Sequence, residues 1–195
     1  MPRTEITRDD LMDLADYSPI RKQKRQELSI IKKNRRVEIG PVATAYFESY
    51  DTMWWQVQEM LYIEKGGEEQ IADELAAYNP LIPKGRELVT TVMFEIDDEI
   101  RRRNFLSRLG GVEETMFIEF LGETVTGVPE KDLDRTSTDG KASSVQFIHF
   151  PFSDEQAKAF RNTNKQVMVG FRNPEYSHMC VIQDAVREAL AADFA

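Results

Sequence analysis

Residues 87–96 have the sequence ELVTTVMFEI, and this stretch decides the predicted fold. Every second side chain, from Leu88 through Val92 to Ile96, is apolar or β-branched, so one face of an extended chain here is suited to a core. β-Branched and aromatic residues are typical of strands because they pack well on a pleated surface. The stretch therefore predicts a strand with one buried face, which needs neighbouring strands to be stable.

The sequence after this strand predicts further strands, with helices between them. The stretch Val145–Phe152 is apolar on both faces, which is typical of a strand in the middle of a sheet. The polar stretch Pro129–Ser144 is longer than an ordinary loop, and it predicts either a lid or a surface loop with a short helical turn at 132–135. The other predicted strands are Thr115–Leu121, Gln166–Phe171 and Met179–Ile182, and the predicted helices between them are Asp97–Leu109, Asp154–Arg161 and Asp184–Ala192.

The sequence that precedes the strand is mainly helical. Ser18-Pro19 offers a cap followed by proline at the first helical position, so a helix is predicted to start there. The predicted helices are Thr7 to Ala15, Pro19–Arg36, Thr52–Lys65 and Glu68–Tyr78, with one strand at Val42–Ser49. We therefore predict a single α+β domain over residues 1–195, in which N-terminal helices pack on a mainly antiparallel sheet of about five to seven strands.

Composition excludes several classes of protein. The 195 residues include 25 Lys+Arg and 34 Asp+Glu, a net charge of −9, which disfavours a general nucleic-acid binder. No apolar run reaches the 18 residues that a membrane helix needs, and the first residues lack a secretory pattern, so we expect a cytoplasmic protein. The single cysteine, Cys180, excludes an internal disulfide and a cluster held by four cysteines.

The charge is unevenly distributed along the chain. Residues 1–36 hold ten basic and six acidic residues, a net charge of +4, whereas residues 37–195 hold fifteen and twenty-eight, a net charge of −13. On the predicted helix Pro19–Arg36, helical spacing places Arg21, Arg25, Lys32 and Arg36 together on one side. This stripe predicts a surface for an acidic partner, and a solvated face paired with the chain's own acids is the alternative.

Motifs for cofactors and nucleophiles are absent from the sequence. Gly140-Lys141-Ala142-Ser143 resembles the end of a P-loop, but Arg135 stands where a glycine is needed and an apolar strand follows instead of a helix. No glycine-rich dinucleotide fingerprint and no G-x-S-x-G occurs, so no cofactor is predicted.

A metal site has only weak candidates. His178 and Cys180 are two positions apart, so on a strand they share a face, but two ligands do not make a site. His149 adds a third ligand if its strand adjoins theirs. We therefore predict no metal, and a structural role for this trio is the favoured interpretation.

Catalytic candidates are polar residues in apolar surroundings. Glu64 lies within the apolar stripe of the helix Thr52–Lys65, where a carboxylate must be paired, protonated or lifted into solvent at the helix end. Whether the protein is an enzyme is left open. The full set of weak catalytic candidates is Glu48, Gln58, Glu59, Glu64 and His149.

The chain resembles the family designated domain of unknown function 3501 over nearly its whole length. The segments that carry the resemblance are ITRDDL (6–11), KNRRV (33–37), FE (47–48), QEML (58–61), IE (63–64), ELAAYNPLIP (74–83), KASSVQF (141–147) and NPEY (173–176). Relatives more often have histidine where this chain has Gln146 and Asn173. The resemblance brings no assigned activity with it, but relatives tend to be encoded beside rubrerythrin-like proteins and iron–sulfur oxidoreductases.

Two functional hypotheses follow. The first is an accessory protein of a redox or oxidative-stress pathway, which docks a redox protein through the basic helix by charge complementarity. The second is a small enzyme or ligand-binding protein with a carboxylate and histidine site near Glu59, Glu64 and His149. We favour the first because the sequence contains no recognisable catalytic constellation. The oligomeric state is left open.

Overall fold

The computed structural model describes residues 2–130, 136–137 and 140–195, and the helical turn predicted at 132–135 lies outside them. The helices are α1 Leu14–Lys33, α2 Tyr50–Glu64, α3 Gly67–Tyr78, α4 Glu99–Leu106, α5 Asp154–Asn162 and α6 Asp184–Ala191. The strands are β1 Arg36–Ile39, β2 Ala43–Phe47, β3 Glu87–Phe94, β4 Met116–Phe120, β5 Glu123–Thr126, β6 Val128–Pro129, β7 Val145–Pro151, β8 Val167–Phe171 and β9 Met179–Val181.

The predicted α+β class is confirmed, and the strands form two sheets instead of one. The first sheet has the order β1-β2-β3-β7-β6 and the second has the order β5-β4-β8-β9, with antiparallel pairing throughout the described strands. Each sheet contributes one apolar face to a shared core, to which β3 gives Leu88, β7 gives Phe150 and β4 gives Ile118. The stretch at 87–96 is thus the middle strand of the larger sheet.

Helix α2 covers the other face of the first sheet. Its buried residues Met53, Val57 and Leu61 pack in a second core together with Val89 of β3. Ser49 caps the helix by accepting a hydrogen bond from the Thr52 amide at 3.4 Å. The first sheet is therefore enclosed between a helical layer and the second sheet.

The N-terminal helix differs from its prediction. One helix runs from Leu14 to Lys33, and Pro19 lies in its second turn, where the missing amide costs a single hydrogen bond. The helix predicted from Thr7 is only a 3₁₀ turn at Arg8–Asp10. It stops there because the Gln58 amide on α2 binds the backbone of Met12 on both sides, accepting from its N–H at 3.0 Å and donating to its carbonyl at 2.9 Å.

Residues 36–39 form a strand, although Arg36 was predicted as the end of a helix and no element was predicted for residues 37–39. Strand β1 pairs with β2 as a hairpin, and Val37 and Ile39 are buried in the shared core. The Tyr176 hydroxyl enters the hairpin turn, where it donates to the Ile39 carbonyl at 2.6 Å and accepts from the Ala43 amide at 3.1 Å. The loop before β9 is thus joined to the β1–β2 turn.

Candidate functional site

A cleft opens where the free edges of the two sheets approach each other. Strand β1 ends the first sheet and β9 ends the second, and the C-terminal part of α1 and the start of α6 close the sides. The cleft has a volume of about 790 Å³, and we call it the basic cleft. It is lined by Ser29, Lys32, Lys33, Asn34, Arg36, Val37, Glu38, Tyr46, Cys180, Val181, Gln183 and Val186.

The two strands converge at one end of the basic cleft. Gly40, directly after β1, adopts φ +71°, and a Cβ atom on it would lie 2.6 Å from the His178 ring. That ring also packs on Tyr176, with centroids 4.6 Å apart. The edges of β1 and β9 are therefore in close contact at Gly40.

The lining carries three cations and one carboxylate. The Lys32 ammonium lies 5.7 Å from the centroid of the Trp55 ring, a distance at which a cation is attracted to the ring face. Arg36 donates to Glu38 at 2.9 Å, but both side chains are exposed, so this pair contributes little and leaves Arg36 available. Lys33, which sequence reasoning did not select, is exposed beside them.

The predicted basic stripe is therefore divided. Lys32 and Arg36 line the basic cleft, whereas Arg21 donates to both carboxylate oxygens of Glu59 at 2.8 and 2.7 Å and lies 4.7 Å from the Tyr62 ring. Arg25 is exposed and helps to lower the pKa of the Glu59 carboxyl, for which the Arg21 hydrogen bond is the main cause.

Cys180 lines the cleft as a half-buried thiol. It packs on the shared core, and burial raises the pKa of the thiol above its usual value. The thiol is therefore protonated at neutral pH, in spite of the nearby cations, and it is a poor nucleophile there.

The three metal-ligand candidates are not brought together. His149 lies on β7 in the first sheet, while His178 and Cys180 belong to the β9 end of the second, so the strands do not adjoin. Within residues 2–130, 136–137 and 140–195, no group of three or more metal-ligating side chains has metal-site geometry.

Two of the catalytic candidates hold α1 and the N-terminal segment to α2. Glu59 is buried and accepts from the Tyr17 hydroxyl at 2.6 Å in addition to Arg21. The side-chain amide of Gln58 forms hydrogen bonds with the N–H and the carbonyl of Met12. Both side chains thus form hydrogen bonds that hold the fold together.

The other two glutamates have different surroundings. Glu48 is buried and accepts from the hydroxyls of Thr52 at 2.6 Å and Thr91 at 2.7 Å, so it joins α2 to β3. Glu64 is exposed at the end of α2 and accepts from Gln70 at 2.9 Å, which matches the alternative that its side chain is lifted into solvent.

His149 forms the second polar constellation of note. Its Nδ1 lies 3.0 Å from Glu87 and its Nε2 lies 2.7 Å from Glu130. Because carboxylates only accept, both contacts are hydrogen bonds when the ring is an imidazolium. The Glu87 hydrogen bond is the main reason that the pKa of His149 is raised above 6.5, with Glu130 adding to it.

Sequence reasoning also missed a buried ion pair. Arg35, next to Arg36, donates to the carbonyls of Phe47 at 3.0 Å and Glu48 at 2.8 Å and pairs with Asp193. Burial raises the pKa of the Asp193 carboxyl to about 6 against the opposing effect of Arg35. The pair joins the turn between α1 and β1 to Asp193, 158 residues away, which local periodicity cannot detect.

The fold and the basic cleft together define an α+β protein with a cationic groove between two sheet edges. Residues 5–194 match the family model described as "Protein of unknown function (DUF3501)", and the chain belongs to this family. It is similar to a protein of unknown function from Burkholderia pseudomallei that is known from a crystal structure, with 34% identity, a TM-score of 0.91 and coverage of 99% of this chain and 100% of that chain. No functionally curated protein matches the chain.

One further property concerns membranes. In the part of the chain that the structure describes, no helix combines the length and the apolar character that crossing a bilayer requires.

Proposed function

We propose that this protein is a non-catalytic accessory protein that docks an acidic redox protein at the basic cleft. The observation that carries the proposal is the concentration of Lys32, Lys33 and Arg36 around a groove of about 790 Å³ in a chain whose net charge is −9. A positive groove on a protein of negative net charge attracts an acidic partner to that place, while the acidic parts of the surface repel it.

The redox class of the partner is supported by the family resemblance, whose members tend to be encoded beside rubrerythrin-like proteins and iron–sulfur oxidoreductases. Transient complexes of redox proteins are commonly small and held by complementary charge. A cytoplasmic location and the single-domain organisation belong to the same proposal. The half-buried thiol of Cys180, whose pKa is raised by desolvation, favours a docking role over a role as electron carrier.

The test is a matched pair of charge reversals. In the first variant Lys32, Lys33 and Arg36 become Glu, and in the control Lys22, Lys158 and Lys165, which are exposed and lie outside the cleft, become Glu. Both carry the same change in net charge, so general electrostatics is held constant. Anaerobic affinity purification at low salt should recover an iron-containing acidic protein with the native chain and the control but not with the cleft variant. Equal recovery by the two variants would contradict the proposal.

A ligand-binding or catalytic function has one observation in its favour, which is the bracket of Glu87 and Glu130 around His149. A protonated histidine between two carboxylates can pass a proton to a bound substrate. Replacing His149 with Gln should then abolish any ligand-induced rise in melting temperature found in a metabolite screen. A rise of the same size in the variant would exclude this site.

A further inference from the structure

We infer that the basic cleft receives its acidic partner as an extended segment that adds to the free edge of β9, an inference that rests on the proposed function. The four sheet edges in the described chain differ in how they are protected. Three carry the charges or proline that usually prevent edge pairing, namely Arg36 and Glu38 on β1, Glu123 on β5 and Pro129 on β6. Strand β9 has none of these within Met179–Val181.

The apolar side chains of β9 are exposed. Met179 is 60% exposed and Val181 is 47% exposed, whereas Cys180 between them packs on the core. An edge strand with exposed apolar residues is a template for pairing with another chain. Its position beside three cations selects against a neutral or basic strand and favours an acidic one.

The backbone of β9 presents unpaired hydrogen-bonding groups on the side where a new strand would lie. The Ile182 amide donates to Val167 and the Phe171 amide donates to His178, both at 2.8 Å, and the Val169–Cys180 pair lies between them in the ladder. Hydrogen-bonded pairs alternate along an antiparallel ladder, so the N–H and C=O groups of Met179 and Val181 point away from β8. These groups face the side on which an added strand would lie.

The occupant is therefore an extended segment that alternates apolar and acidic residues. In an added strand, successive side chains point to opposite faces. One set would extend the apolar surface of Met179 and Val181, and the other would contact Lys32, Lys33 and Arg36 across the cleft. Main-chain hydrogen bonds supply affinity in such complexes and the side-chain contacts supply specificity.

The test uses a defined probe, a labelled peptide of alternating valine and glutamate, with a backbone N-methylated form of the same sequence as its control. Two protein variants separate the contribution of the outward backbone N–H at position 181 from that of the side chain. Val181→Pro removes the outward N–H but keeps the ladder to β8, and Val181→Thr keeps both the amide and the β-branched shape.

Strand addition predicts at least a tenfold weaker binding of the peptide to Val181→Pro and of the N-methylated peptide to the native chain, with Val181→Thr unchanged. Hydrogen exchange should show new protection of the Met179 and Val181 amides in the complex. Circular dichroism of each variant checks that the fold is retained.

Each other outcome overturns the inference in a recognisable way. If reversal of Lys32, Lys33 and Arg36 abolishes binding but Val181→Pro does not, docking is electrostatic only and the proposed function stands without strand addition. If the native chain does not bind the peptide at millimolar concentration, strand addition is wrong. If sedimentation shows that β9 instead pairs with a second copy of this chain, and Val181→Pro dissociates that dimer, the occupant is wrong.

Discussion

Arg21 and Glu59 form a two-pronged ion pair between α1 and α2, with Nε donating to Oε1 at 2.8 Å and Nη2 donating to Oε2 at 2.7 Å. The Tyr17 hydroxyl donates to the same carboxylate at 2.6 Å. Of the four cations in the predicted stripe, Arg21 is thus occupied within the fold. The position available to a partner lies nearer the C-terminal end of α1, in the basic cleft.

Replacement of Glu59 with Ala is expected to lower the free energy of unfolding by about 1–3 kcal/mol, because the buried Tyr17 hydroxyl loses its acceptor. Urea denaturation monitored by tryptophan fluorescence measures this change. Glu64→Ala is the control, since Glu64 lies exposed on the same helix and its loss should cost no more than about 0.5 kcal/mol. Equal costs for the two variants would mean that the cluster does not stabilise the fold.

Adjacent arginines are expected to have opposite roles. Arg35→Ala should cost about 3–5 kcal/mol of stability, because Asp193 would be left buried without its cation. Arg36→Ala should change stability by no more than about 0.5 kcal/mol and should instead weaken partner docking. Denaturation and low-salt affinity purification of both variants check this division. A stable Arg35→Ala protein, or an Arg36→Ala protein with normal docking, would disprove the corresponding half.

Sequence patterns predicted the fold where a segment's own periodicity determines its structure. The alternation in 87–96 and the doubly apolar Val145–Phe152 do correspond to β3 and β7, which pair along most of their length. Local sequence patterns gave the wrong structure where a contact with a residue distant in the sequence determines the backbone conformation. Gln58 fixes the backbone at Met12, and the Tyr176 hydroxyl fixes the β1–β2 turn, so neither the short N-terminal turn nor β1 could be found from local sequence.

The candidate site was predicted only in part for the same reason. Lys32 and Arg36 do both line the basic cleft, but Arg36 lies on β1 and not on the predicted helix, so helical spacing is not the reason that they are neighbours. Local spacing cannot show that Glu59 binds Arg21, because α2 meets α1 only in the tertiary fold. For the same reason it cannot show that Cys180 lines the cleft, where β9 approaches β1. The free edge of β9 is likewise a property of strand order, which the sequence does not display.

The contribution of His149 to stability is expected to depend on pH. Its pKa in the folded chain is raised above 6.5, so the stabilisation by Glu87 and Glu130 is fully present below pH 6.5 and is lost as the pH rises through the higher folded value. His149→Gln should therefore lower the free energy of unfolding more at pH 6 than at pH 9. Urea titrations at both pH values provide the comparison. The same cost at both would show that the ring is not held as an imidazolium.

Cys180 is expected to react slowly with alkylating reagents. Burial raises the pKa of its thiol, and only the thiolate is nucleophilic. Iodoacetamide labelling of the native chain, followed by mass spectrometry, should be much slower at pH 7 than labelling in urea and should accelerate above pH 9. Rapid labelling of the native chain at pH 7 would mean that Lys32, Lys33 and Arg36 stabilise the thiolate, and it would reopen a redox role for this residue.

Gly40 is the position on which the convergent end of the basic cleft depends. An alanine there must adopt φ +71°, which costs about 1–3 kcal/mol, and its Cβ would lie 2.6 Å from the His178 ring and 2.8 Å from the Tyr176 hydroxyl. Gly67→Ala is a matched control, because Gly67 has φ +75° with nothing within 4 Å of the added atom.

The difference in unfolding free energy between Gly40→Ala and Gly67→Ala therefore isolates the contact from the backbone strain. We expect Gly40→Ala to be the less stable of the two, and His178→Ala in the same chain to recover part of the difference by removing the ring. Urea denaturation of the three variants decides this. If Gly40→Ala and Gly67→Ala are equally stable, the edges of β1 and β9 have room to separate, and the cleft is not fixed at this end.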